Sequence, residues 1–212
     1  MVKKYKTVNK RAQIEITEKK SRFIATVMPV KSQEEVDDFL NELRKEHWNA
    51  SHNCYAYQIG ERDEIQRFSD DGEPQGTAGK PILEVLKGEE LKDTVIVVTR
   101  YFGGTLLGTG GLVRAYGKSA KEGVLAAEII QCILMRRYSV TIPYTLVGKI
   151  QYLLAESGYI TEDEIYTDEV VLHVLVEEDE CDNFEKKIIE HTSAEAAIQK
   201  KDTLYKNMPF KR

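Results

Sequence analysis

The strongest structural signal in the chain is the segment Asp93-Thr94-Val95-Ile96-Val97-Val98-Thr99-Arg100-Tyr101-Phe102-Gly103-Gly104-Thr105-Leu106-Leu107-Gly108-Thr109-Gly110-Gly111. Its β-branched run at residues 94–99 predicts a buried strand. Five glycines between positions 103 and 111 then interrupt the strand. Apolar residues recur at helical spacing from there to about residue 128. The segment therefore predicts a strand, a glycine-rich turn and a helix in succession.

The helix after the glycines is predicted to carry a basic stripe beside its apolar face. Arg114, Lys118 and Lys121 share one side because they follow i, i+4 and i+7 spacing. A glycine-rich turn before a helix presents free backbone N–H groups and a helix N-terminus to an anion. The face expected to be buried comprises Val113, Tyr116, Gly117, Ala120, Val124 and Ala127. The pattern favours an anion-binding surface, although tight turning and close helix packing would explain the same glycines.

Two nucleotide-binding motifs are excluded at this turn. In a P-loop the second glycine is followed by Lys and then Ser or Thr, whereas Gly108 is followed by Thr109 and Gly110. The dinucleotide fingerprint needs a third glycine where Val113 stands. The sequence therefore disfavours a nucleotide-hydrolysing enzyme.

Length and composition indicate an ordinary globular protein. The 212 residues, of which 42% are hydrophobic and 31% charged, allow one large domain or two small ones. Cys54, Cys132 and Cys181 are odd in number and far apart, which favours reduced thiols in a reducing cytosol over a disulfide framework or a zinc ribbon. No apolar run follows the basic residues near Met1, so neither a signal peptide nor a membrane span is predicted. We expect a cytoplasmic protein.

The charge is distributed unevenly along the chain. Residues 1–137 carry 22 Lys and Arg against 20 Asp and Glu, a balance of +2, whereas residues 138–205 carry 5 against 15, a balance of −10. Such a change predicts two domains with different partners. The first, covering residues 1–134, is the candidate for nucleic acid. The acidic second domain covers residues 138–206, and solubility is the simplest explanation of its charge.

The N-terminal part reads as a mixed α+β domain. Residues 12–18 and 22–30 predict paired strands, and Ser32-Gln33-Glu34-Glu35 has the pattern of a capping box. The helix that follows has Val36, Phe39, Leu40 and Leu43 as its core face, and Trp48 near its end is expected to pack. Further strands are predicted at 52–59 and 65–68, and a short helix at 81–87. Residues 69–81 are too polar for a regular element and long for a simple connection.

The C-terminal part predicts the order βαββαβ. Strands are expected at 138–143, 159–166, 170–176 and 196–205, and helices around residues 146–154 and 182–190. Arg136-Arg137 marks the expected boundary. This order defines the ferredoxin-like split-βαβ sandwich.

Several residues are candidates for chemistry or for nucleic-acid contact. His52, Asp70, Asp71 and Glu73 would form the catalytic or metal-binding set of a hydrolase. The same acidic stretch is also ordinary turn composition, and no known hydrolase or metal motif assembles there. Tyr101 and Phe102 lie among the cations Lys80, Arg100, Arg114 and Lys118. Proteins that bind single-stranded nucleic acid combine aromatic side chains for stacking with cations for phosphate contact. Tyrosines that pack at the edge of a core would explain the aromatic residues equally well.

Three motifs together resemble the Impact/YigZ family, and within it bacterial members of the YigZ/YvyE type. They are Ala50-Ser51-His52-Asn53-Cys54-Tyr55-Ala56-Tyr57, Ser69-Asp70-Asp71-Gly72-Glu73-Pro74 with Ala78-Gly79-Lys80-Pro81, and Val98-Thr99-Arg100-Tyr101-Phe102-Gly103-Gly104 with Gly110-Gly111-Leu112-Val113-Arg114-Ala115-Tyr116. The motifs span most of residues 20–125.

The resemblance implies an N-terminal domain like domain IV of elongation factor G and a ferredoxin-like C-terminal domain like its domain V. Eukaryotic relatives restrain a translational stress pathway by binding the activator of an initiation-factor kinase. That role belongs to an arrangement with an extra domain missing from this chain, so it is not carried over. The resemblance implies no enzymatic activity and no cofactor, and it favours association with RNA or the ribosome.

The sequence thus predicts a non-enzymatic protein, without a metal or cofactor, that binds RNA or the ribosome and modulates translation. The predicted anion- or nucleic-acid-binding residues are Lys80, Arg100, Tyr101, Phe102, Gly103, Gly104, Gly108, Gly110, Gly111, Arg114 and Lys118. The predicted family-motif loop comprises His52, Asp70, Asp71, Gly72, Glu73, Pro74, Gly76, Thr77 and Gly79. Two alternatives remain open: a protein–protein interaction module acting on a translation-related protein, and a hydrolase or metal-dependent enzyme that uses the acidic loop.

Overall fold

The computed structural model describes residues 2–210 and divides them into two units by their internal contacts. The N-terminal unit comprises the residues up to 131 together with those from 208 onward, and the C-terminal unit comprises residues 132–207. None of the helices between residues 2 and 210 is long and apolar enough to cross a membrane. The predicted two-domain α+β class is confirmed.

The N-terminal unit is built on an antiparallel sheet. The strands of this unit are β1 (Lys4–Val8), β2 (Ala12–Glu18), β3 (Ser21–Pro29), β4 (His52–Ile59), β5 (Ile65–Ser69) and β6 (Thr94–Tyr101), and its helices are α1 (Gln33–Glu46), α2 (Gly79–Gly88) and α3 (Thr109–Ala127). The sheet has the strand order β2-β3-β6-β4-β5. Strand β6 lies in the centre because its β-branched residues are buried on both faces.

Each face of this sheet is covered by helices. Ile96 and Val98 of β6 join the core under α2 and α3, whereas Val95 and Val97 join the core under α1. Ser32 caps α1 as its sequence predicted, since its Oγ accepts a 3.2 Å hydrogen bond from the amide of Glu35. The strands beside the motifs are therefore held rigidly from both sides.

Helix α3 is rotated slightly from the predicted orientation. Leu112 is buried, whereas Val113, expected in the core, is 41% exposed. The helix turns this way because Gly123 faces β3 so closely that a Cβ there would lie 2.9 Å from Cγ2 of Val27. Tyr116, Ala120, Val124 and Ala127 are buried as predicted. The helix therefore packs through its small residues and leaves Arg114, Lys118 and Lys121 exposed.

The C-terminal unit has the predicted ferredoxin-like order. Its elements are β7 (Ile129–Ile142), α4 (Val147–Glu156), β8 (Ile160–Tyr166), β9 (Val170–Glu177), α5 (Cys181–Thr192) and β10 (Ala197–Pro209). Within this unit β10 pairs with β7, β7 with β9, and β9 with β8. Ile150, Leu154, Phe184 and Ile188 of the two helices share one core with the strands. This is the strand order of a split-βαβ sandwich.

Arg136 and Arg137, where the domain boundary was predicted, lie inside β7. Arg136 forms an ion pair with Glu178, and Arg137 pairs with Glu162 and Asp202. These acidic partners allow the double arginine to continue a strand. The division by contacts falls a few residues earlier, between residues 131 and 132.

Candidate functional site

Asp70 organises the family-motif loop between β5 and α2. Its carboxylate accepts hydrogen bonds from the amides of Gly76 at 2.8 Å, Ala78 at 3.0 Å and Gly79 at 2.8 Å. The last two amides belong to the start of α2, so Asp70 caps that helix from a distance in sequence. Thr77 closes the loop by donating its hydroxyl to the carbonyl of Pro74 at 2.6 Å. Asp70 is thus occupied by the backbone.

Replacement of Asp70 by alanine is expected to destabilise the N-terminal unit by about 2–3 kcal/mol, because three amides lose a charged acceptor. Hydrogen exchange during urea unfolding of the full chain would measure this, with peptides from α4 as an internal reference. Asp71→Ala is the matched control, since Asp71 receives only one backbone amide, that of Asn53 at 2.6 Å. Equal losses for both variants would contradict the capping role of Asp70.

His52, at the start of β4, is held by the same loop. Its Nδ1–H donates to the carbonyl of Asp71 at 2.8 Å, so in the neutral ring Nε2 carries no proton. Nε2 lies 3.9 Å from Oε1 of Glu73. Asp71 and Gly72 have positive φ angles of 42° and 87°, which turn the chain so that Glu73 points inward. The loop therefore brings His52 and Glu73 together but directs both aspartates elsewhere.

Glu73 and Arg100 form a buried ion pair beneath the loop. Their side chains are 3% and 7% exposed, and Arg100 Nη1 donates to Glu73 Oε1 at 2.6 Å. Tyr116 donates its hydroxyl to the same oxygen at 2.8 Å, and Arg100 Nη2 donates to Oγ of Ser21 at 3.4 Å. The sequence placed Arg100 among exposed phosphate contacts; the structure instead buries its guanidinium against a carboxylate.

Cys54 lies beside this ion pair and is not poised as a nucleophile. Burial raises the pKa of its thiol to about 12. Its Sγ–H donates to the hydroxyl of Tyr116 at 3.4 Å. Burial also raises the pKa of Tyr116, next to Cys54 and Glu73. Both groups are therefore protonated at neutral pH and serve as hydrogen-bonding partners.

A cleft of about 470 Å³ opens above the Glu73–Arg100 pair, a volume within the usual range for small-ligand sites. One wall is formed by the family-motif loop and the other by the glycine-rich turn and the first turn of α3. Its lining includes His52, Glu73, Pro74, Phe102, Leu106 and Thr109. Phe102 and Leu106 are 50% and 82% exposed, so apolar surface surrounds a polar floor.

The glycine-rich turn leaves most of its amides open. Gly103 donates to Oγ of Ser21 at 3.1 Å, whereas Leu112 donates the first helical hydrogen bond of α3, to Gly108. Among residues 2–210 no hydrogen-bond acceptor is found for the amides of Gly104, Gly108, Gly110 and Gly111. The N-cap, Gly108, has no side chain to satisfy them. The amino end of α3 is therefore available to an anion.

Of the other side chains predicted to contact nucleic acid, some are exposed and some are already bonded within the protein. Lys80, Arg114 and Lys118 are exposed, and Lys118 makes only a 3.5 Å pair with Glu18 at the surface. Tyr101 is engaged, because its ring lies under Arg22 and its hydroxyl bonds to Nδ1 of His47 at 3.0 Å. The ring of Phe102 lies 5.5 Å from the guanidinium of Arg100, but Phe102 is 50% exposed and is the better-placed aromatic surface. Trp48, which was expected to pack, is 82% exposed.

Sequence reasoning missed several contributors to the site. Ser21, which holds both Arg100 and Gly103, lies outside every motif and carried no local signal. Tyr116 was identified as a core residue, but its hydroxyl also belongs to the Glu73 cluster. Among the described residues, no group of three or more His, Cys, Asp and Glu is arranged to hold a metal ion.

These features define a two-domain α+β protein whose N-terminal unit combines a polar, loop-walled cleft with an uncapped helix N-terminus. The chain belongs to the IMPACT family: the model of the Impact N-terminal domain matches residues 19–124, and that of a Domain of unknown function (DUF1949) matches residues 140–195. The resemblance to this family that the sequence motifs indicated is confirmed.

The bacterial relatives match most of the chain, and a eukaryotic relative matches less than half of it. IMPACT family member YvyE of Bacillus subtilis is 45% identical over 97% of this chain and 94% of its own, and IMPACT family member YigZ of Escherichia coli is 36% identical over 80% and 84%. Protein IMPACT homolog of Dictyostelium discoideum is 44% identical over 44% of this chain and 28% of its own. A crystal structure described as a hypothetical protein aligns with a TM-score of 0.61 at 30% identity, covering 93% and 97% of the two chains.

Proposed function

We propose that this protein is a non-enzymatic cytosolic protein that binds RNA, free or within the ribosome, through its N-terminal unit, and that it thereby modulates translation. The observation that carries the proposal is the exposed amino end of α3, where open backbone amides adjoin Arg114 and the cleft. Phosphate groups bind at such helix ends. Lys80, Lys118 and Lys121 add exposed positive charge to the same unit.

The charge distribution supports the N-terminal unit as the RNA-binding part. Residues 138–205 carry a balance of −10 and would repel a polyanion, whereas residues 1–137 carry +2. Arg100 does not contribute to the predicted phosphate contacts, since Glu73 neutralises it. The proposal therefore depends on the exposed cations of α3 and the open amides.

An enzymatic role receives less support from the same residues. Asp70 and Asp71 accept backbone amides instead of converging on His52, and Glu73 is paired with Arg100. His52 and Glu73 alone do not assemble a nucleophile, a base and an orienting group.

The double substitution Arg114→Ala/Lys118→Ala is expected to weaken RNA binding about tenfold at low salt, because two cations that neutralise phosphate groups are removed. Filter binding to total RNA and to ribosomes would measure it. The slope of log affinity against log salt should fall in magnitude by about 0.7 for each phosphate that the variant leaves without a cation. Lys149→Ala/Lys186→Ala is the matched control, since it removes two exposed lysines from helices of the C-terminal unit.

If the double variant bound RNA as wild type does, the proposal would be wrong. Crosslinking in cells, followed by nuclease treatment, addresses the protein–protein alternative. A partner that is captured equally after nuclease would favour docking through the acidic unit or the loop at residues 70–80.

A further inference from the structure

We propose that the cleft holds a single unpaired nucleotide of the bound RNA, with its phosphate at the amino end of α3 and its base against Glu73. This inference rests on the proposed RNA-binding function and names the part of the RNA that the site recognises. Two independent observations carry it: the open helix N-terminus on one wall, and a buried carboxylate with an unpartnered oxygen on the floor.

The amino end of α3 suits a phosphate. The helix is 19 residues long and starts at Thr109, with no side-chain cap and no acidic residue in its first turn. Gly108 and Thr109 line the cleft, and the amides of Gly110 and Gly111 follow on the same turn. The aligned peptide dipoles place about half a positive charge at this end. Without side chains at Gly108, Gly110 and Gly111, an anion can approach the backbone closely.

Glu73 supplies a hydrogen-bond acceptor on the floor of the cleft. Its side chain is 3% exposed, and its Oε1 accepts from both Arg100 and Tyr116. Among residues 2–210 both hydrogen bonds to the Glu73 carboxylate go to Oε1, and no donor is found for the second oxygen, Oε2. The Nε of Arg100 is buried and has no acceptor within the same residues. Buried polar atoms are almost always hydrogen-bonded, so the guanidinium of Arg100 is incompletely satisfied. The free Oε2 of Glu73 is an acceptor that a ligand in the cleft can reach. A ligand that meets Oε2 must therefore offer a donor.

Guanine fits that requirement better than uracil. Guanine presents two adjacent donors, its N1–H and its exocyclic amino group, to a carboxylate oxygen. Uracil presents its N3–H between two carbonyl oxygens, which a carboxylate repels. A guanine nucleotide thus combines a phosphate that can bind at the amino end of α3 with a base edge that can donate hydrogen bonds to Glu73.

The walls of the cleft suit a base ring. Phe102 and Leu106 are large, exposed apolar side chains that line the cleft, and Pro74 of the family-motif loop lines it too. Stacking of an unpaired base on an aromatic ring is a general feature of single-strand recognition. The ring would cover apolar surface that is exposed in the free protein.

Titration of the isotope-labelled full chain with guanosine 5′-monophosphate, followed by NMR, would test the assignment. Saturable shifts are expected at the amides of residues 108–111, with about tenfold tighter binding than for uridine 5′-monophosphate, the factor that one good hydrogen-bonded base contact provides. Inorganic phosphate should shift the same amides more weakly. Phe102→Ala should weaken the binding of the nucleotide but not the binding of inorganic phosphate.

Gly110→Asp should abolish the binding of guanosine 5′-monophosphate and of inorganic phosphate while preserving the fold. A Cβ at Gly110 meets no atom within 4 Å, and an acidic residue in the first turn stabilises a helix. Its carboxylate would occupy the position of the phosphate. Gly148→Asp is the matched control, because Gly148 is also the second residue of a helix, α4, and its Cβ also points into open space.

The outcomes separate this inference from the proposed function. The cleft assignment is overturned if guanosine monophosphate gives no saturable shifts, or if Gly110→Asp binds it as wild type does. If RNA binding still depends on Arg114 and Lys118 in that case, the proposed function stands. Saturable nucleotide binding by a protein that retains no RNA on filters would support the cleft site and overturn the proposed function.

Discussion

Replacing Glu73 by glutamine is expected to destabilise the N-terminal unit by about 3–5 kcal/mol, because it leaves the guanidinium of Arg100 buried without a counter-charge. Glutamine keeps the shape of glutamate, so poorer packing does not explain the effect. Both side chains are less than a tenth exposed, so solvent compensates little of the lost charge. Hydrogen exchange of α3 peptides during urea unfolding would measure the change.

A second substitution distinguishes charge from structure. Glu73→Gln/Arg100→Met should be more stable than Glu73→Gln alone, since removing both charges leaves no uncompensated ion. Glu90→Gln serves as the surface control: its ion pair with Lys6 leaves Glu90 largely exposed, and little change is expected. A Glu73→Gln protein as stable as wild type would show that the buried pair does not contribute to holding the loop on β6.

Replacing Gly103 by alanine is expected to destabilise the N-terminal unit by more than about 4 kcal/mol, the range reserved for severe clashes. A Cβ on Gly103 would lie 2.0 Å from the carbonyl carbon of Lys20 and 2.2 Å from its oxygen. These are backbone atoms of the residue just before β3, so no side-chain rotation relieves the contact. The amide of Gly103 would also be pulled from Ser21.

Gly110→Ala is the matched control for this clash. The same added methyl meets open space at Gly110, and alanine is expected to stabilise the helix by about 0.5–1 kcal/mol. Thermal unfolding monitored by exchange in β3 and α3 would separate the two variants. Similar unfolding temperatures would mean that β3 shifts to accommodate the methyl group.

The regular elements were largely predictable because their signals are local. The β-branched residues 94–99 gave the central strand, and Ser32 gave the start of α1. The C-terminal order βαββαβ followed from periodicity and turns. The error at Val113 had a tertiary cause: it was assigned to the buried face because a helical pattern does not reveal how closely Gly123 approaches β3.

The candidate site was only partly predictable. The family-motif loop and the glycine-rich turn were identified, and the structure places them on two walls of one cleft. The sequence could not reveal that Asp70 caps α2 or that Arg100 meets Glu73, because these partners lie 9 and 27 residues apart across irregular backbone. Arg100 consequently looked like a surface cation.

The sequence by itself determined the two α+β domains, the strand–turn–helix order and the family motifs, since hydrophobic periodicity, glycines and capping residues act within a few neighbouring positions. Only the tertiary structure decided which charges are buried and which are free. Desolvation depends on what covers a side chain: β6 carries Arg100 beneath the loop that carries Glu73, while α3 leaves Arg114 in water. The same packing places Glu73 and the first residues of α3 along one cleft.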